Sequence, residues 1–192
     1  MNDVDILKKI EKKVLWLACW MIHNANHIRE NQDGLKVGGH QASSASIVSI
    51  MTALYFNILR PEDRVAVKPH ASPVFHAIQY LSGLQTKEKI ENFRGFGGAQ
   101  SYPSRPKDRH DVDISTGSVG LGVAMTSFIS LIQDYVARKK FYKNKPLGRM
   151  IALVGDAELD EGNVYECLQE GWKHDLRNVW WIIDYNLSLI HI

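Results

Sequence analysis

Cysteine is scarce in this chain, two in 192 residues, and that scarcity excludes a disulfide framework as the source of its stability. Cys19 and Cys167 fall on apolar helical faces without a Cys-x-x-Cys pair or a histidine at ligand spacing, so they read as reduced core thiols and no zinc site follows. Long hydrophobic runs are missing too. The uncharged stretch Val14 to Ile22 is too short to span a bilayer and lies behind Lys8, Lys9, Lys12 and Lys13. An excess of one charge sign is likewise absent, the formal net charge being +2. Neither nucleic acid nor an anionic membrane is an expected partner, and Arg138, Lys139, Lys140, Lys143 and Lys145 read as a solvated helix end and loop. The expected location is the cytoplasm. What is present is ordinary for a globular protein, 45% apolar and 23% charged residues, enough for one well-buried domain.

Leu7, Ile10, Val14, Leu17 and Met21 recur every three or four positions and predict a helix over residues 4 to 24. His23 and His27 are four apart on it, but no acidic partner accompanies them and a metal pair is not expected. The run Gly38-Gly39-His40-Gln41-Ala42-Ser43-Ser44-Ala45-Ser46 leads into a second helix carrying Ile47, Val48, Met51, Leu54, Tyr55 and Ile58. Two glycines, a histidine and serines at a helix start make an anion-facing turn. A charged turn and short strand follow at Asp63 to Val67, then Lys68-Pro69-His70-Ala71-Ser72-Pro73, with Pro73 suited to the first turn of a helix over Val74 to Leu81. His76 lies inside that helix and reads as structural. Residues 86 to 110 hold a short helix and a Gly- and Pro-rich loop. The segment Val112 to Gly122 then opens a helix over Val123 to Arg138, and its glycines lack the Gly-x-Gly-x-x-Gly order of a dinucleotide loop.

Met150 to Val154 and Val179 to Ile183 are apolar runs without alternation, the pattern of parallel strands buried on both faces. Between them Val164, Cys167, Leu168 and Trp172 mark a helix over Asp160 to Trp172. The unit is strand, helix, strand, so both strands deliver their carboxyl ends to one rim, where open α/β sheets bind ligands. Asp156 and Asn186 stand at those ends, 30 positions apart (186 minus 156). A carboxylate and an amide oxygen suit Mg²⁺, which takes one or two carboxylates and fills its octahedron with water and phosphate oxygens. A diphosphate ligand follows.

Gly155-Asp156-Ala157-Glu158 followed by Ile183-Asp184-Tyr185-Asn186 resembles the thiamine-diphosphate motif of the transketolase and 2-oxoacid dehydrogenase superfamily. Gly38-Gly39-His40, Lys68-Pro69-His70-Ala71-Ser72-Pro73 and Thr116-Gly117-Ser118-Val119-Gly120 resemble further segments of that family in the same order, closest to the homodimeric pyruvate dehydrogenase E1 branch. Two positions depart from the motif. Ala157 replaces a glycine and Asp184 an asparagine, the second adding a negative charge.

The resemblance implies an α/β fold, a parallel sheet with helices on both faces, in which residues 34 to 186 form the diphosphate-binding domain behind an N-terminal helical segment, 1 to 33. The domain is expected to be truncated, and residues 187 to 192 to be a non-native tail. It implies thiamine diphosphate and Mg²⁺ as cofactors, with Asp156, Asn186 and the Ser188 carbonyl on the metal. Thr116, Gly117, Ser118, Gly155, Asp156, Ala157, Glu158 and Asn186 would lie against the cofactor, and His40 and His70 would handle protons. The implied reaction is oxidative decarboxylation of a 2-oxoacid such as pyruvate, or ketol transfer between sugar phosphates. A homodimer, a pyrimidine-binding domain bearing the activating glutamate and a lipoyl-bearing acyltransferase are the implied partners. The 192 residues alone are expected to be inactive. A non-catalytic chain keeping the fold is the alternative from another class.

Overall fold

The computed structural model describes residues 2–31, 34–108, 112–141 and 146–186. The chain divides into two compact units, Met1–Leu59 with Pro69–Val112, and Arg60–Lys68 with Asp113–Ile192.

The first unit is helical. Helix α1, Asp3–His23, is started by Asn2, whose side chain accepts a hydrogen bond from the Asp5 amide at 2.9 Å, with Asp3 and Asp5 in the first turn. Of its predicted apolar face, Val14, Leu17 and Met21 are buried, and Leu7 and Ile10 are half-buried. A π-helical turn, Asn24–Ile28, ends it. The predicted second helix is broken in two. Helix α2, Gln41–Ala45, begins immediately after His40, and α3, Val48–Ala53, runs into a second π-helical turn at Leu54–Ile58. No serine side chain caps either helix. Helix α4, Ser72–Leu81, has Pro73 in its first turn as expected and packs on α1. It is buried along almost its whole length, Ser72 to Gln79. Helix α5, Lys87–Glu91, is capped by the Thr86 hydroxyl.

His76 on α4 is fully buried. Its Nε2 lies 2.9 Å from the Gln100 carbonyl, its Nδ1 3.3 Å from Gln85 Nε2, and the Phe75 and Phe93 rings stand edge-on to it. Burial pushes the imidazole below its ordinary value, against the opposing pull of Asp108 and the Gln100 carbonyl.

The second unit is a parallel three-stranded sheet in the order β1-β2-β3, formed by Arg64–Ala66, Met150–Gly155 and Val179–Asp184. Helix α6, Leu121–Arg138, packs against all three strands, and α7, Gly162–Lys173, packs on α6. Val123, Ala152, Val154, Val164 and Cys167 form the core between these helices and the sheet. Strand β2 is buried on both faces from Met150 to Val154, as predicted. Strand β3 is not: Trp180 is 40% and Ile183 43% exposed. It pairs on one side only among the described residues, and an edge strand of apolar residues looks the same in sequence as a central one. The predicted helix over Asp160 to Trp172 starts later, at Gly162, because a 3₁₀ turn at Asp156–Asp160 comes first. Both cysteines are free thiols, Cys167 buried and Cys19 half-buried.

The amino end of the sheet is locked by Asp63. Its carboxylate accepts from the Arg60 amide at 2.9 Å, from the Arg149 amide at 2.8 Å and from Arg149 Nε at 3.0 Å, and it pairs with Arg149 Nη2. Burial pushes the carboxyl up, but the hydrogen bonds from Arg149 and Arg60 outweigh it and hold Asp63 below the usual carboxylate range. The Arg149 guanidinium also lies 4.3 Å over the Trp180 ring.

Candidate functional site

The carboxyl rim of the sheet carries the predicted metal ligands. Register pairs Gly155 with Asp184, so Asp156 and Asn186 leave the sheet one and two residues further on at the same edge of neighbouring parallel strands. Asp156 opens the 3₁₀ turn, and its Oδ1 accepts from the Ala157 amide at 3.1 Å. Ala157 is not among the residues with positive φ, so its methyl group meets no backbone penalty where the family motif has glycine.

Glu158, 7% exposed, ties the rim together. One carboxylate oxygen accepts from the Gly155 amide at 2.8 Å and the other from the Gly120 amide at 3.1 Å. The end of β2 and the loop carrying Thr116, Gly117 and Ser118 are thereby fixed to one side chain. Gly120 has φ +79°, a backbone conformation that favours glycine, and a Cβ there would stand 2.4 Å from Asn163 Oδ1 and displace that side chain. Asn163 Oδ1 and Thr116 Oγ1 are both buried without a hydrogen-bond partner. Buried polar atoms left unpaired beside such a rim are what a polar ligand would satisfy.

Asp184 does not leave its charge bare. Its side chain is 6% exposed and forms an ion pair with Lys68, 5% exposed, two residues beyond β1. The same carboxylate oxygen accepts from Asn186 Nδ2 at 3.1 Å. Sequence reasoning singled out neither Lys68 nor Asn163. The one signal for Lys68 was a lysine closing an apolar strand, Val65-Ala66-Val67-Lys68, where burial demands a counter-charge.

In the helical unit, His40 and His70 are brought together, ring centroids 5.4 Å apart and both exposed. Two left-handed glycines deliver His40. Gly38 is held by the Asn26 side chain through two 3.0 Å hydrogen bonds, and a Cβ at Gly39 (φ +117°) would press on Ile22 at 3.2 Å. The Ser44 hydroxyl, expected in the helix-start turn, donates instead to the His70 carbonyl at 3.2 Å. His23 and His27 are exposed with rings 5.0 Å apart. Among the described residues no three His, Cys, Asp or Glu side chains cluster as a metal site. Ser188 lies outside the described residues, as does the rest of 187–192. No helix among the described residues is long and apolar enough to cross a membrane.

A short parallel sheet presents an acid, an amide and a glycine-bearing loop at its carboxyl rim, the edge at which open α/β sheets bind ligands. The family model described as 1-deoxy-D-xylulose-5-phosphate synthase matches residues 6–191. The pyruvate dehydrogenase E1 component of Mycolicibacterium smegmatis is 27% identical over 97% of this chain and 21% of its own length. A transketolase of Pongo abelii is 27% identical over 77% of this chain and 24% of its own. Among solved structures, transketolase from Leishmania mexicana superposes with a TM-score of 0.78 at 18% identity, over 92% of this chain and 27% of that one. The chain belongs to the matched family, as an N-terminal domain of the thiamine-diphosphate-dependent transketolase and pyruvate dehydrogenase E1 superfamily. It spans about a fifth of the length of the E1 relatives it matches.

Proposed function

We propose that this chain binds Mg²⁺ and the diphosphate of thiamine diphosphate, and that the protein it belongs to decarboxylates a 2-oxoacid such as pyruvate oxidatively. The observation that carries the reading is the register of β2 and β3, which sets Asp156 and Asn186 on one rim. The donor set fits the group: one carboxylate and one amide oxygen from the side chains leave positions for phosphate and water oxygens, as Mg²⁺ prefers. Asp156 and Asn186 would hold the cation, with the Ser188 carbonyl as the third ligand that the resemblance implies. Gly155, Ala157, Glu158, Thr116, Gly117 and Ser118 bear on the cofactor, Glu158 by fixing the loop and Thr116 through its unpaired hydroxyl. Thiamine diphosphate, when bound, supplies a carbon nucleophile that adds to the substrate carbonyl. His40 and His70 would give and take protons at the substrate oxygens, imidazole being the side chain most often used for general acid and base work.

The reading extends to a cytoplasmic homodimer that works with a pyrimidine-binding domain outside these residues and passes its product to a lipoyl-bearing acyltransferase. The extent of the match supports the 2-oxoacid branch, since E1 relatives align over 97% of this chain and a transketolase over 77%. Ketol transfer between sugar phosphates is the second reading, favoured by the transketolase relative that is 27% identical over 77% of this chain.

The test is thermal unfolding of the full chain with thiamine diphosphate. Stabilisation that needs Mg²⁺, worth about 2.7 kcal/mol at a hundredfold excess over Kd, is expected. It should vanish in Asp156→Ala. No shift under any condition would favour a chain that keeps the fold and binds nothing. Release of CO₂ from pyruvate by the full-length protein, against turnover of a ketose phosphate, decides the branch.

A further inference from the structure

We propose that the Lys68–Asp184 ion pair is a positioning device for the cation site, fixing which end of the Asn186 amide faces the metal. The inference rests on the reading above and deepens it. Lys68 follows β1, and Asp184 is the last residue of β3, so the pair reaches across the end of β2, the central strand. Both side chains are almost wholly buried.

Asp184 Oδ2 takes a hydrogen bond from Asn186 Nδ2 as well as the ammonium of Lys68. A carboxylate offers acceptors only, so the NH₂ end of the amide must turn toward it and Oδ1 is left to face away. An oxygen is the end a hard cation needs. Lys68 makes this tolerable in two ways. It supplies the counter-charge without which a buried carboxylate is strongly disfavoured. It also cancels the negative charge that Asp184 would otherwise set near a diphosphate. The departure from the family's asparagine is thus balanced within the sheet end itself.

A plain structural staple between β1 and β3 would look similar, so the experiment separates the two roles. In the full chain at fixed thiamine diphosphate, the Mg²⁺ concentration giving half of the thermal stabilisation is measured alongside the melting temperature without ligand. Lys68→Arg keeps the charge and the hydrogen bond, and its Mg²⁺ midpoint is expected to match the unsubstituted chain. The double variant Lys68→Gln with Asp184→Asn retains an acceptor for Asn186 without a stranded charge, and its midpoint is expected to match as well. The double variant Lys68→Met with Asp184→Leu fills the space but offers Asn186 nothing. Its ligand-free melting temperature should hold while its midpoint rises about 10–100-fold, the range for lost partners of metal ligands.

An unmoved midpoint in the Met/Leu variant, or a raised one in Lys68→Arg, would overturn the proposal. A readout without substitution runs beside it: the Asn186 side-chain NH₂ protons should exchange with solvent more slowly than those of the exposed Asn57, and equal rates would also overturn it. Absence of any Mg²⁺-dependent stabilisation in the unsubstituted chain would remove the cofactor reading and this inference together, an outcome distinct from a normal midpoint that no substitution shifts.

Discussion

The two ends of the sheet each bury an acid–base pair, and they are built to different purposes. At the amino end, Asp63 receives two backbone amides and the Arg149 side chain, so every oxygen is committed within the fold. At the carboxyl end, Asp184 divides itself between Lys68 and a residue that is itself a proposed ligand. Nearby, Glu158 holds two glycine amides while Thr116 and Asn163 keep unpaired polar atoms. One end is closed and stabilises. The other holds unspent hydrogen-bonding capacity, the physical mark of a surface meant to meet something polar.

The sharpest way to break that contrast is Asp63→Ala. It strands the Arg149 charge and two amides, and should cost about 3–5 kcal/mol in denaturant unfolding while the Mg²⁺ midpoint of surviving folded protein stays put. Glu158→Ala comes next. It should cost about 2–3 kcal/mol by freeing the Gly120 and Gly155 amides, and unlike Asp63→Ala it should abolish stabilisation by thiamine diphosphate.

A pH effect belonging to neither end sharpens the comparison further. His76 has its imidazole depressed by burial below 6.5, so the unfolded chain takes up a proton that the native one refuses. The stability it contributes is complete above that value and lost as the pH falls below it, by up to about 1.4 kcal/mol per pH unit. Denaturation at pH 7.5 and 5.5 should show the slope in the native sequence and a flatter one in His76→Gln. Smallest in stability are His40→Ala and His70→Ala, exposed positions that should move unfolding by less than about 0.5 kcal/mol. Turnover by the full-length protein should nonetheless fall about 10²–10⁴-fold in each.

Much of this was readable in advance where local rules act alone. Unbroken apolar runs gave β2, and Pro73 marked the start of α4. Asp156 and Asn186 could be placed on one rim because a strand, helix, strand unit returns its second strand parallel to the first. The exposure of β3 was not legible, since Val179 to Ile183 is as apolar as a central strand and only pairing decides what covers it. The break between α2 and α3 escaped as well, because Ser43 to Ser46 suited a cap but lie within or after a turn already begun at Gln41. Lys68 with Asp184 joins residues 116 positions apart, a meeting that only the folded sheet arranges.

Position 120 has an evolutionary consequence. Its backbone is left-handed, its amide is claimed by Glu158, and the Asn163 oxygen occupies the space a side chain would enter. In a library of random codons, the neighbouring exposed sites 119 and 121 should accumulate replacements freely. Survivors of selection for a folded, ligand-competent protein should be strongly enriched in glycine at 120.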